Sequence, residues 1–185
     1  MKWSHRFCIA IVLLAGCRQD MNDQPRYKPL AQSDFFGDDR SARPQVPDTV
    51  ARGQLRTNEL LYTGKIGGKV AGEFPLPVTV ALLDRGREQY DIFCSPCHDR
   101  VGTGRGMVVQ RGFKQPNSFH IDRLRQAPVG YFFDVTTTGF GMMPSYTSQV
   151  TPEDRWAIVA YIRALQLSQH ATTDDVPATA MEKLQ

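Results

Sequence analysis

The sequence predicts an all-α domain carried behind a long extended arm. Three observations predict it. Two segments after residue 78 each open on a threonine cap and run through several helical turns with no proline beyond the first turn. Residues 17–78 are broken by prolines and show no helical periodicity. No stretch alternates apolar and polar residues as a half-buried strand would.

Composition sets the outer limits. The 185 residues are 41% hydrophobic and 22% charged, the balance of a folded chain rather than a disordered one. A formal charge of +3 gives no argument for nucleic acid as a partner. No apolar run is long enough for a spanning helix.

In chain order, Lys2 and Arg6 make a short positive start, and Phe7 to Ala15 is an apolar core too short to span a bilayer. It ends Leu14-Ala15-Gly16-Cys17, which resembles the lipobox of bacterial lipoproteins. That resemblance implies a signal peptide over 1–16, cleavage before Cys17, and acylation of Cys17 as a lipid anchor. The alternative is an ordinary signal peptide with a chance cysteine. Either way the chain is exported. With Cys8 removed and Cys17 capped, Cys94 and Cys97 are the remaining thiols, in an oxidising compartment.

The arm, 17–78, contains Pro25, Pro29, Pro44, Pro47, Pro75 and Pro77, which favour extended backbone over helix. Two readings stand on composition alone. One is an idle tether. The other is an arm that lies along a partner, since Phe35-Phe36 and Leu60-Leu61-Tyr62 are unusual in a plain linker.

The domain, 79–168, begins with a helix over Val80 to Phe93 capped by Thr79. Gly86, Tyr90 and Cys94 fall four apart on one face. A mid-helix glycine costs about 1 kcal/mol against alanine, which a close helix crossing would explain. Thr151-Pro152-Glu153-Asp154 is a second helix start, with proline in the first turn followed by acids. That helix runs to about Leu167, with Ile158, Tyr161, Ile162 and Leu165 as its stripe. The two helices are expected to cross, Gly86 and Tyr90 against Ile158 and Tyr161. A shorter helix is expected over Pro128 to Thr138, and 169–185 is a C-terminal tail.

Cys94-Ser95-Pro96-Cys97-His98 has the C-x-x-C-H spacing of c-type haem attachment. Two thiols three residues apart reach the two vinyl groups on one porphyrin edge, and the next residue faces the iron. A thioredoxin-like pair would want a strand–turn–helix setting, and here a helix precedes the pair. A zinc site needs further ligands, and outside the motif the histidines are His5, His120 and His170. A structural disulfide would have no use for His98. The expectation is one covalent haem c on Cys94 and Cys97, with His98 as an axial iron ligand.

Met143 leads for the sixth iron position. It precedes Pro144, which pushes it out of helical geometry and onto a loop. Met107 and His120 are rivals, and Met142 is a candidate gap-filler. Histidine and methionine together fill both axial positions and raise the reduction potential. The expected job is one-electron transfer, not catalysis. An open sixth position would instead make a haem enzyme or gas sensor.

Gly102, Gly104 and Gly106 superficially resemble a dinucleotide loop but lack the strand and helix that reading needs. They are expected to let the backbone pass close to the haem. Arg100, Arg105 and Arg111 are either partners for the haem propionates or solvated surface charges. Tyr146 and Trp156 are expected to pack near the haem. A basic excess over 81–125 suits an acidic redox partner.

The stretch from Gly86 through Leu165 resembles the monohaem class I cytochrome c domain. The matching elements are Gly86 and Tyr90 before the C-x-x-C-H motif, then Met143-Pro144, then the aromatic terminal helix. A narrower resemblance covers nearly all of the mature chain. Its motifs are Gln24 to Leu30, Phe35-Phe36, Ser41 to Pro44, Thr49 to Gly53, Tyr62-Thr63-Gly64 and Gly106 to Phe113. These look like the lipid-anchored cytochrome c subunit of alternative complex III, a quinol-oxidising respiratory assembly. That resemblance implies a multihaem cytochrome c, an iron–sulfur protein and integral membrane quinol-binding subunits as partners. It also implies a downstream cytochrome or oxidase, and the periplasmic face of the bacterial cytoplasmic membrane. It favours the docking reading of the arm. The chain departs from the pattern at Asp99, where glycine is frequent, and at Thr103, where an acid is common.

Overall fold

The computed structural model describes residues 24–176, so Cys17 and its leader lie outside the described residues. The chain divides into two units, with the boundary between Gln54 and Leu55.

In the first unit, residues 24–54 fold without a helix. Gln32 and Arg40 form an isolated antiparallel bridge. Inside the loop it closes, Ser33 is buried and its amide donates to the Asp39 carbonyl at 3.1 Å. Arg43 binds the Asp38 carboxylate through two nitrogens, at 2.7 and 2.9 Å, and lies 4.1 Å over the Phe36 ring. Phe36 packs edge-on to Phe35 at 4.9 Å. The aromatic spots of the arm thus hold a local loop together.

The second unit carries six α-helices among the described residues. They are α1 (Glu59–Thr63), α2 (Val80–Phe93), α3 (Ser95–His98), α4 (Asp122–Arg125), α5 (Val129–Thr138) and α6 (Pro152–Ser168). Thr79 caps α2 by accepting from the Leu82 amide at 3.2 Å, and Thr151 caps α6 by accepting from Asp154 at 3.2 Å. Both expected helix starts are in place.

The crossing of α2 and α6 is where the mid-helix glycine is explained. A Cβ on Gly86 would overlap the Ala157 carbonyl oxygen and lie 3.0 Å from the Tyr161 Cβ. Gly86 therefore meets Ala157 and Tyr161, and Ile158 turns into the core, 2% exposed. Tyr90 packs edge-on against Tyr161 at 5.3 Å. Arg85 locks the crossing with two bonds to Asp154, at 2.7 and 2.9 Å.

The core continues away from this crossing. Trp156 stacks on Phe133 at 4.6 Å, and both are fully buried. The Trp156 indole donates to the Leu61 carbonyl at 2.9 Å, and Phe74 packs edge-on to it at 5.7 Å. Residues 59–76, read from sequence as arm, thus supply part of this core. Between them runs a hairpin, β1 (Lys65–Ile66) with β2 (Lys69–Val70). Two residues per strand are too few to show alternation, so the pattern carried no strand signal. The turn glycines 67 and 68 have positive φ, and their amides donate to the Glu59 carboxylate at 3.0 and 3.1 Å. No described helix is long and apolar enough to cross a membrane.

Candidate haem site

Cys94 ends α2, its amide donating to the Tyr90 carbonyl at 2.9 Å, and α3 follows at once. The His98 amide donates back to the Cys94 carbonyl at 2.9 Å. One helical turn therefore brings Cys94 and His98 onto one face, with Cys97 beside them. Both cysteines are free thiols, Cys94 buried and Cys97 half-buried.

Burial pushes the Cys94 thiol up to about 12, with Cys97 adding to the shift. A reactive redox pair needs the opposite, a stabilised thiolate. Burial pulls the His98 imidazole down to about 4, against a smaller upward pull from Asp99. His98 is thus neutral, the form that ligates metals. Its ring stacks on Phe119 at 4.6 Å, and its buried Nδ1 has no hydrogen-bond partner among the described residues.

Asp99 sets the exit from α3. Its φ of 59° with ψ of 174° is a region that glycine occupies freely and other residues at a cost of about 1–3 kcal/mol. The carboxylate offsets that cost. It accepts from the amides of Val101 at 2.8 Å, Thr103 at 3.2 Å and Arg105 at 3.0 Å, and from the Thr103 hydroxyl. Tyr90 donates its phenol to the Asp99 carbonyl at 2.7 Å. Burial raises the Asp99 pKa, but the Thr103 hydroxyl and the three amides outweigh it and hold the group below its ordinary value.

The glycines after Asp99 approach protein. A Cβ on Gly106 would overlap the Pro96 carbonyl, and one on Gly104 would overlap the Pro116 carbonyl. A Cβ on Gly102 would lie 2.8 Å from the Phe119 ring. The amides of Gly104 and Gly106 donate to His98 and Cys97 carbonyls at 2.9 and 3.0 Å. The contacts that demand glycine among protein atoms are with the backbone of α3 and the 116–119 segment.

Met143 lies on the loop between α5 and α6 and is half-buried. Its backbone exchanges two bonds with Phe140, each at 3.0 Å. Met142 is 71% exposed, which removes it as a gap-filler, and Met107 is 57% exposed. The Nε2 of His120 sits 2.7 Å from the Val101 carbonyl, so that nitrogen already has a backbone partner. Arg100, Arg105 and Arg111 are exposed. Tyr146, three residues past Met143, packs edge-on to Phe93 at 6.3 Å. Burial raises its phenol pKa, and the Cys94 and Cys97 sulfurs add to that. The methionine loop therefore comes down beside the cysteine motif. The partners of Trp156 are Phe133, Phe74 and Leu61. Phe119 and Asp99 were not singled out from sequence as site residues. Asp99 had one signal, standing where a glycine is frequent.

The residues fit a covalent haem. Two free thiols and a neutral, unpartnered imidazole share one turn, and a half-buried methionine lies on a loop that reaches the same wall. Residues 81–162 match the family described as "Cytochrome C oxidase, cbb3-type, subunit III". That match over part of the chain implies a cytochrome c domain there, with covalently bound haem c and haem-based electron transfer. No curated protein matches the chain. Among solved structures, it is similar to a chain of the reducing HAO-like protein complex of Kuenenia stuttgartiensis, at 23% identity and a TM-score of 0.45. That similarity covers 58% of this chain and 54% of the other, so the chain spans about half the neighbour's length.

Proposed function

We propose that the protein is a lipid-anchored electron-transfer subunit of a quinol-oxidising respiratory complex. Cys94 and Cys97 hold one haem c as thioethers, and His98 and Met143 are its axial ligands. The observation that carries this reading is the α3 turn, which presents two free thiols and a half-buried, neutral His98 together.

Bound there, haem c supplies a one-electron iron couple. The chain supplies everything else. Burial of His98 keeps a lone pair free at neutral pH. Phe119 fixes the plane of its ring by stacking on it. Asp99 and Tyr90 fix the backbone that leaves the motif. Met143 would supply the second iron ligand and leave no open position for substrate or gas, so the subunit would carry electrons and do no catalysis alone.

The sequence supports the wider setting. The Leu14 to Cys17 lipobox points to acylation of Cys17, and the resemblance to the alternative complex III subunit points to the periplasmic face of the cytoplasmic membrane. The motifs between Gln24 and Gly64 point to an alternative complex III-like assembly with a multihaem cytochrome, an iron–sulfur subunit and quinol-binding membrane subunits. Electrons would leave to a downstream cytochrome or oxidase.

The test is mass spectrometry of the native, detergent-solubilised complex. One haem on the Cys94–Cys97 peptide, acyl chains on Cys17 and co-purifying cytochrome and quinol-binding subunits are expected. A chain weighing no more than polypeptide plus lipid would refute the haem reading. A haem-bearing chain that purifies alone would refute the assembly.

A further inference from the structure

The last carbonyls of a helix have no partner within it and must find one elsewhere. At the end of α5, those of Thr136 and Thr137 are taken by the loop that carries Met143. The Ser145 and Thr147 hydroxyls both donate to the Thr137 carbonyl at 2.6 Å. The Tyr146 amide donates to the Thr136 carbonyl at 3.0 Å. On the other side of Met143, the Phe140 pair closes a tight turn, and a Cβ on Gly139 would lie 2.7 Å from the Met143 carbonyl. Met143 is thus held from both directions.

Thr137 is itself held. Its hydroxyl donates to the Phe133 carbonyl at 2.6 Å and accepts from Nη1 of Arg155 in α6. Arg155 is 3% exposed and lies 4.7 Å over the Phe133 ring. Its Nε is buried without a partner, and Thr137 receives its one hydrogen bond among the described residues. A buried cation without a carboxylate is an expensive way to fill a core. Its position is accounted for by what it fastens.

We propose that Thr137, fixed by Arg155, is the positioning residue that keeps Met143 on the iron and sets how readily another ligand displaces it. The proposal rests on Met143 being the sixth ligand.

The test titrates imidazole into the ferric, full-length holoprotein and follows the far-red absorbance band of methionine-ligated haem. Ser145→Ala with Thr147→Val removes both loop hydroxyls at exposed positions. Imidazole should then bind about tenfold more tightly, the size expected for two weakened tethers. Thr137→Val should act in the same direction, and Thr137→Ser should restore the original affinity. The imidazole titration reads ligand displacement in the folded protein, which a general loss of stability would not move. If Thr137→Val does not fold, the double variant decides. Unchanged imidazole affinity in the double variant, with the band present, would overturn the proposal. Met143→Ala is the control. If the band survives it, the ligand assignment fails first, and this proposal with it.

Discussion

Asp99 shows most clearly how one side chain replaces another's function. Glycine reaches φ of 59° and ψ of 174° freely, and aspartate reaches it here because its carboxylate gathers four donors from the next six residues. Asp99→Ala keeps the strained backbone and loses every one of those bonds. It should destabilise the holoprotein by about 2–3 kcal/mol, read as a lower midpoint in denaturant. Asp99→Gly loses the same bonds but not the backbone freedom, so its midpoint should lie between those of Asp99→Ala and the parent. Equal midpoints for the two variants would show that the backbone angle carries no cost. At this scale the spacing of Cys94, Cys97 and His98 made legible that the three share one helical turn. The sequence was silent on Phe119 and Thr137. A phenylalanine that stacks on an imidazole and a threonine that gathers loop hydroxyls are set by tertiary contacts, and no local pattern marks them.

The helices were legible at their starts. Thr79 and Thr151 are read as caps because a side-chain oxygen before a helical run has a free amide to accept from, and both do so. What the stripe of α6 did not reveal is rotation: Ala157, not Ile158, faces Gly86. The requirement for close approach favours the smallest side chain in the first turns. The same crossing gives a pH dependence. The Arg85 hydrogen bonds lower the Asp154 pKa more than burial raises it. A depressed carboxylate stabilises the fold above its unfolded pKa, and that contribution fades as pH falls through the folded value. Arg85 is 47% exposed, so the pair is worth under about 1 kcal/mol. Asp154→Asn should therefore lower stability slightly at neutral pH and narrow its gap to the parent below about pH 4. Acid titration of the unfolding free energy for both chains measures this, and a constant gap would contradict it.

On the scale of the whole molecule, composition misplaced the edge of the folded unit. Prolines 75 and 77 and the glycines between 64 and 72 read as linker. Yet Leu61 takes the Trp156 indole and Phe74 covers its ring. Proline-rich chain can pack as well as helix when its apolar side chains have a surface to meet, and that surface is supplied a hundred residues later. A chain beginning at Thr79 should be less stable than one beginning at Leu55 by about 3 kcal/mol, since it strips a buried indole of its acceptor and its cover. Thermal unfolding of the two haem-bearing chains compares them directly. Equal melting temperatures would mean the 59–76 segment rests on the core without supporting it.

The bridge between Gln32 and Arg40 governs reach. Pairing these two residues side by side removes the links between them from the span of the chain, about 25–30 Å of extended backbone. If Cys17 carries the proposed lipid anchor, a shorter leash confines the volume the carrier explores and raises its concentration at a fixed neighbour. The clasp of Arg43 on Asp38 and Phe36 would then act on the frequency of encounter.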